Sequence, residues 1–381
     1  MFRAWTEVSI NKITSILNFG PQHPAAHGVL RLILQLEGEL ISECDPHIGY
    51  LHRGCEYLSL QKTWYQIFPF IERLDYTSVI TQTHCFSLLI DKLFSFSSNI
   101  QTQWYRTVGS ELGRLLNHWL AVITAALDLG VMAPLFWGFE EREKIMEFIE
   151  FESGARMHAF LFKFEINSTW NLLLLNFYKF FCIALKTLIE INTLLLTNKL
   201  WKFRLQYVGT LSLYNALQYG VTGPLGRASG LLLDWRGQVN QNYDLYSQLY
   251  FTSFIGARGD CYDRFLLRMR EMLESLYILL QLIQYRVILK KTVNCDMFNL
   301  ILLTTLHTFN ITATTTTYVE AGKGLFGISY GIQNTHCLLC HFRSPAFFNL
   351  QSSKQLISGI FLSDVTAILG SLDIVFGEID R

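Results

Sequence analysis

Between residues 105 and 127 the chain sets Val108, Leu112, Leu115, Leu116, Trp119, Ile123 and Leu127 three or four positions apart. That spacing gathers side chains on one face of an α-helix, and no strand register accommodates it. Gly130 and Pro134 then supply a stop. A stripe this long must be covered by other elements, so the middle of the chain is expected to be a helical assembly. Similar patterns run through "IGYLHRGCEYLSLQKTW", "YTSVITQTHCFSLLIDKLF", "GFEEREKIMEFIEFESGARMHAFLF" and the segments 169–200 and 258–290.

The two ends follow another rule. In "NFGPQHPAAHGVLRL", residues 18–32, His23 and His27 stand four apart, but Pro24 lies between them and Gly20, Pro21 and Gly28 flank them, so they belong to a loop rather than to a helix face. The alternation Leu30, Leu32, Leu34, Leu36 has the period of a strand, and Glu37-Gly38-Glu39 reads as the turn of a β-hairpin. Alternation returns from about residue 315. The expectation is an α+β chain, a mainly helical bundle with β structure at the N- and C-terminal ends. It forms a single domain over 1–381, with a hairpin region at 18–48, a helical core at 49–300 and a β/α region at 315–381.

Half of the residues are hydrophobic and 16% are charged, giving a mean hydropathy of +0.25. Charges at Lys179, Lys186, Glu190 and Lys199 interrupt the most apolar segment, 171–201, and His307 and a Thr-rich end break 297–319, so no transmembrane helix is expected. The apolar excess points instead to contacts with other subunits. With 31 acidic and 31 basic residues, the charge balance argues against nucleic acid as a partner. The N-terminus has no secretory apolar core and little arginine, which reads as a start close to the mature beginning.

Eight scattered cysteines do not form a disulfide framework and fit a reducing compartment. Cys337 and Cys340, in "HCLLCH", lack the second ligand pair of a zinc site, and the others form no pair, so neither a metal nor an iron–sulfur cluster is expected in this chain. No GxGxxG or Walker loop is present, which disfavours a nucleotide site. "FIERLDYTS" sets Glu72, Arg73, Asp75 and Tyr76 at the start of an apolar helix, where a capped terminus with a surface ion pair is the plain reading. Asp128 falls in the last turn of an apolar helix, where the macrodipole opposes a carboxylate, and so requires a partner. Arg156, His158, Arg258, Asp260, Asp263 and Arg264 fit interhelix salt bridges equally well.

Eight stretches in order, "NFGPQHPAAHGVLRL", "PHIGYLHRGCE", "ERLDY", "RLLNH", "FEEREK", "SGARMH", "RGDCYDR" and "DIVFGEIDR", together resemble the quinone-site subunit of respiratory complex I, the NADH:ubiquinone oxidoreductase (49-kDa or NuoD type). The resemblance implies that His27 and Tyr76 contact the ubiquinone head group and that Asp128 hydrogen-bonds His27. It also implies that Arg53, Arg73 and His158 lie beside a 4Fe-4S cluster held by a neighbouring subunit. Ubiquinone is then a substrate, and this chain holds no cofactor alone. The implied activity is proton-translocating NADH:ubiquinone reduction by a multisubunit complex. The implied partners are the other peripheral-arm and membrane-arm subunits, on the matrix side of the mitochondrial inner membrane.

The same family resembles nickel-iron hydrogenase large subunits, whose metal is held by two CxxC pairs. Asp75 and Ser78, and Val375 and Glu378, stand at the matching positions, so no soft metal centre can form. A hydrogenase-like metalloenzyme and a non-catalytic scaffold subunit are the alternatives. The chain departs from the family after SGARMH, where "FLFKFEINSTWN" replaces an Arg-Pro-Gly-Gly segment, and at Ala346, where a glycine is usual.

Overall fold

The computed structural model describes residues 14–21, 28–96, 98–159, 170–237, 243–289, 312–333 and 336–381. The N-terminal alternation forms an antiparallel sheet of β1 (Thr14–Phe19), β2 (Arg31–Glu37) and β3 (Leu40–His47), in that spatial order. Leu32, Leu34 and Leu36 of β2 point into the core with Ile41 and Cys44 of β3. Glu37 pairs with Leu40, leaving the two-residue turn Gly38-Glu39, in which Gly38 takes a φ of 66° as such a turn requires. The expected hairpin is thus extended by an edge strand. Five of the six β1 side chains are exposed, so no alternation marks it in the sequence.

Helices α1 (Cys55–Leu60), α2 (Phe68–Glu72), α3 (Val79–Leu93), α4 (Ile100–Asp128), α5 (Ala133–Ser153), α6 (Trp170–Thr197), α7 (Lys199–Leu205), α8 (Leu213–Gln218), α9 (Gly223–Ala228) and α10 (Cys261–Leu289) follow. The stripe from Val108 to Ile123 is buried, which makes α4 the spine against which α3, α5 and α10 pack. Leu127, expected on that stripe, is 39% exposed, because the helix ends a residue later and its last turn leaves the core. Of α6, Ala184, Leu188, Ile191 and Leu195 form an inward stripe against α5 and α10. By length and composition alone, Tyr178–Thr197 is apolar enough to cross a membrane, and only 22% of its most apolar window is buried.

The C-terminal alternation becomes a second antiparallel sheet, β4 (Thr312–Ala321), β5 (Gly324–Gln333) and β6 (His336–Arg343), followed by α11 (Pro345–Gln351), α12 (Ser353–Ile357), α13 (Val365–Leu372) and α14 (Phe376–Asp380). Helix α13 is buried along nearly its whole length, as its largely apolar sequence demands, and packs on α4 and α10. Pairing of Ala321 with Gly324 leaves Gly322-Lys323 as the β4–β5 turn. Such a turn is ordinarily solvated, but this one is pushed into the helices, with Lys323 only 2% exposed.

Beside it lies a buried charge network. Arg227 of α9 meets Glu271 of α10 and Glu320 of β4, each at 2.8 Å, and Arg236 pairs with Asp234 at 2.8 Å and Glu111 of α4 at 3.3 Å. Although burial opposes it, Arg227 holds the Glu271 carboxyl well below the usual range. Several elements distant in sequence are therefore tied together by ions that none can leave unpaired.

Gly223 (φ 68°) lets α9 touch the hairpin tip, since a Cβ there would lie 2.5 Å from Gly324 Cα and 2.8 Å from the Lys323 carbonyl oxygen. Those neighbours are backbone and cannot step aside. Gly223→Ala is expected to destabilise the protein by about 2–5 kcal/mol, whereas Gly359→Ala, also at positive φ but facing open space, should cost about 1 kcal/mol. Melting temperatures of the two variants check this, and equal losses would deny the docking of α9 on the hairpin.

Candidate functional site

The loop between α2 and α3, residues 73–78, is held by its own side chains. Asp75 Oδ1 accepts from the Thr77 backbone N–H at 3.0 Å, closing an Asx-type turn, and Gln82 Oε1 accepts from the Asp75 N–H, also at 3.0 Å. The Thr77 hydroxyl stands 2.6 Å from Asp75 Oδ1 and 2.7 Å from Asn117 Oδ1 of α4. Into this arrangement comes Lys323 from the β4–β5 turn. Its ammonium lies 3.0 and 3.2 Å from the two Asp75 oxygens and also donates to Thr77 Oγ1 and Asn117 Oδ1. Asn117 in turn donates to Asp373 Oδ2 at 2.7 Å, and Asp373 Oδ1 stands 4.0 Å from the ammonium. Three N–H donors meet three kinds of acceptor, which is how a buried ammonium is tolerated.

This corrects the plain reading of "FIERLDYTS". Asp75 does not belong to a surface ion pair at a helix start; it is fully buried and its partner is 248 residues away. Glu72 ends α2, with Arg73 3.8 Å from it. Asn117, Thr77 and Asp373 fall within motifs noted above, but nothing in the sequence singled out Lys323. The one available signal was a lysine between two glycines in an apolar run.

With Asp75 and Thr77 turned inward, Tyr76 between them is turned outward and is 45% exposed. It lines an open cleft of about 330 Å³, solvent at its mouth included, whose apolar walls include Ile80, Leu116, Met146 and Ile149, with Arg142 and Arg156 also on its lining. Burial raises the Tyr76 hydroxyl above its ordinary range, with Asp75 and Asp373 adding to the shift and Lys323 opposing it. Arg142, in the first half of α5, is buried, and its Nε meets no acceptor. Desolvation lowers its pKa while Glu143 opposes the shift.

Arg53 donates from Nη2 to the carbonyl oxygens of Arg73 (3.0 Å) and Gly377 (3.1 Å), so Arg53 and Arg73 are brought together against α14. His158 is exposed and directly follows Met157, which lines the Tyr76 cleft. Asp128 is the last residue of α4, half-buried; a Cβ at Gly370 of α13 would come within 3.1 Å of its Oδ2. His27 and His23 lie outside the described residues, as does the segment that follows SGARMH from residue 160 to 169.

The remaining charged candidates are engaged with partners of their own. Arg156 pairs with Glu143, Asp263 accepts from the backbone N–H groups of Ala257 and Arg258, and Arg264 donates to the Gly209 and Gly259 carbonyls and to Ser371. They bind backbone more than they bridge helices. Cys337 and Cys340 are both buried because the strand register shifts by one residue between them, and among the described residues no group of three or more His, Cys, Asp or Glu is placed to hold a metal ion.

The model of the family described as the respiratory-chain NADH dehydrogenase 49 kDa subunit matches residues 128–381. The chain is 44% identical to the NADH-ubiquinone oxidoreductase 49 kDa subunit of Acanthamoeba castellanii, over 96% of this chain and 95% of that one. It is 41% identical to the protein of the same name from Reclinomonas americana, over 96% of each. To that of Prototheca wickerhamii it is 42% identical, again over 96% of each.

Removing the Lys323 ammonium leaves the buried Asp75 carboxylate without its ion-pair partner. Lys323→Gln is expected to cost about 3–5 kcal/mol, while Lys354→Gln, in an exposed pair with Asp45, should cost less than about 1 kcal/mol. Thermal unfolding of the two variants tests this, and a Lys323 variant as stable as the Lys354 control would remove Lys323 from its central role.

Proposed function

The chain belongs to the family of the respiratory-chain NADH dehydrogenase 49 kDa subunit, and from that premise we propose that the cleft beside Tyr76 receives the head group of ubiquinone. The protein is accordingly a subunit of NADH:ubiquinone oxidoreductase, respiratory complex I, and works among the other subunits of that complex. In this reading it sits in the peripheral arm on the matrix side of the mitochondrial inner membrane. Quinone reduction there is coupled to proton translocation.

The observation that carries the proposal is the orientation of Tyr76. Its neighbours on both sides are fixed inward by Lys323 and Asn117, so its phenol is presented to an open, largely apolar cleft on a rigid loop. A phenol is protonated at neutral pH, and burial, which raises its pKa further, holds that proton until negative charge develops on a quinone oxygen able to take it. His27 serves the other carbonyl oxygen, and Asp128 orients it. Arg142 adds a positive field where the reduced quinone carries charge. Electrons are supplied by a 4Fe-4S cluster of a neighbouring subunit, toward which Arg53, Arg73 and His158 present cationic or protonatable groups that favour added negative charge.

Tyr76→Phe keeps the ring and removes only the donor. The complex should assemble normally and still oxidise NADH with ferricyanide, while quinone reductase activity falls at least about tenfold. Parallel loss of both activities would make Tyr76 structural. For the histidine, a double-mutant cycle of His27→Ala and Asp128→Asn should give a double variant little worse than either single one, since the two act as a unit. Strictly additive losses would separate them.

A further inference from the structure

Seven arginines among the described residues are buried, and six of them donate to an acceptor within the fold. Arg106 meets Asp91, Arg114, Arg264 and Arg268 bind the carbonyl oxygens of Glu320, Gly209 and Ser371, and Arg227 and Arg236 pair with Glu271 and Asp234. Arg142 is the exception. It is 8% exposed, its Nε meets no acceptor, and no carboxylate among the described residues stands in an ion pair with it. Glu143, the next residue in the chain, bonds Arg156 instead. A guanidinium keeps its charge at any physiological pH, so burying one without a partner is a standing cost to the fold.

That cost is placed in the wall of the Tyr76 cleft. Arg142, Met146 and Ile149 follow one another at four and three positions along α5, which turns them to one helix face, and all three line the cleft. No acidic side chain lines it, and the other cation on its lining, Arg156, is paired with Glu143. The carboxylates behind the Tyr76 loop, Asp75 and Asp373, are held by Lys323 and Asn117. The cleft therefore offers one uncompensated positive charge and one phenolic donor on largely apolar walls.

We propose that Arg142 makes this cleft an anion site, which takes ring ligands carrying a delocalised negative charge in preference to neutral rings of the same shape. The inference rests on the quinone reading of the cleft and adds a ligand class to it, the hydroxyquinones, which are vinylogous carboxylic acids and ionised at neutral pH. A planar guanidinium offers parallel N–H donors to paired oxygens such as those of an ionised hydroxyquinone, and the apolar walls keep out the water that would weaken the pairing. A neutral ether of the same ring gains the wall contacts alone and leaves the guanidinium desolvated and unpaired.

The test uses the assembled complex at neutral pH and measures inhibition of NADH:ubiquinone reduction by an alkyl hydroxynaphthoquinone and by its O-methyl ether, with NADH:ferricyanide activity as the control. In wild type the ionised compound should compete with ubiquinone at a concentration at least about tenfold below that of the ether. Arg142→Met, similar in length but neutral, should abolish the difference, and Arg142→Lys, which keeps a cation, should retain part of it. Because Arg142 has no partner within the fold, Arg142→Met should also assemble and melt at or above the wild-type temperature. Equal potency of the two compounds in wild type would overturn the proposal, as would a preference that survives Arg142→Met or is lost in Arg156→Gln instead. Failure of Arg142→Met to assemble would do the same, by assigning the cation to a carboxylate of a neighbouring subunit. Tyr76→Phe run alongside separates the two readings: if it retains full quinone reduction, the cleft assignment fails and the anion site with it, whereas a slow Tyr76→Phe beside equal potency of the two compounds refutes the anion site alone.

Discussion

A single ammonium, that of Lys323, is buried where it must satisfy three donors at once, and much of the molecule is arranged to let it. Its acceptors come from the loop after α2 and from α4, while Asp373 approaches from behind α13. To reach them, a hairpin tip has to enter a helical bundle, which demands glycine on both sides of the lysine and at Gly223, where α9 touches the tip. Removing a charge from water costs several kcal/mol, so the buried ammonium is tolerated only while the acceptors from all of these segments stay around it.

The same contacts shape the site. A loop residue is positioned well only if its neighbours are not free to move, and Asp75 and Thr77 are fixed by direct hydrogen bonds to each other, to Lys323 and to Asn117. Tyr76 is the residue left over, and with both neighbours held inward its side chain lies on the cleft side. The nearby network around Arg227 has a comparable role on a larger scale, joining α4, α9, α10 and β4 through ions that are hidden from solvent and screened little by salt.

The long helices and both sheets were legible because each carries a periodic apolar signal. Leu32 and Leu34, or Val108 through Ile123, are buried as their spacing required. Strand β1 was not legible, since an edge strand with exposed side chains has no period to detect. Tyr76, Arg53 and Arg73 were marked through a resemblance of motifs, and the fold brings Arg53 and Arg73 together by a hydrogen bond that no spacing of 20 residues announces. The polar side chains that make the Tyr76 loop rigid were mostly silent, because a lone lysine between glycines reads as an exposed turn.

By itself, then, the sequence determined which segments are helical, which are extended and which family the chain resembles, since local periodicity and ordered motifs are properties of neighbouring residues. Only the tertiary structure decided which charges face each other. Lys323 and Asp75 are 248 positions apart, and Glu378 is buried within their electrostatic reach on a helix packed against the loop. Whether a carboxyl is paired, crowded or stripped of water depends on the distances across the folded core, and those exist only once the hairpin tip, α4 and α14 have come together.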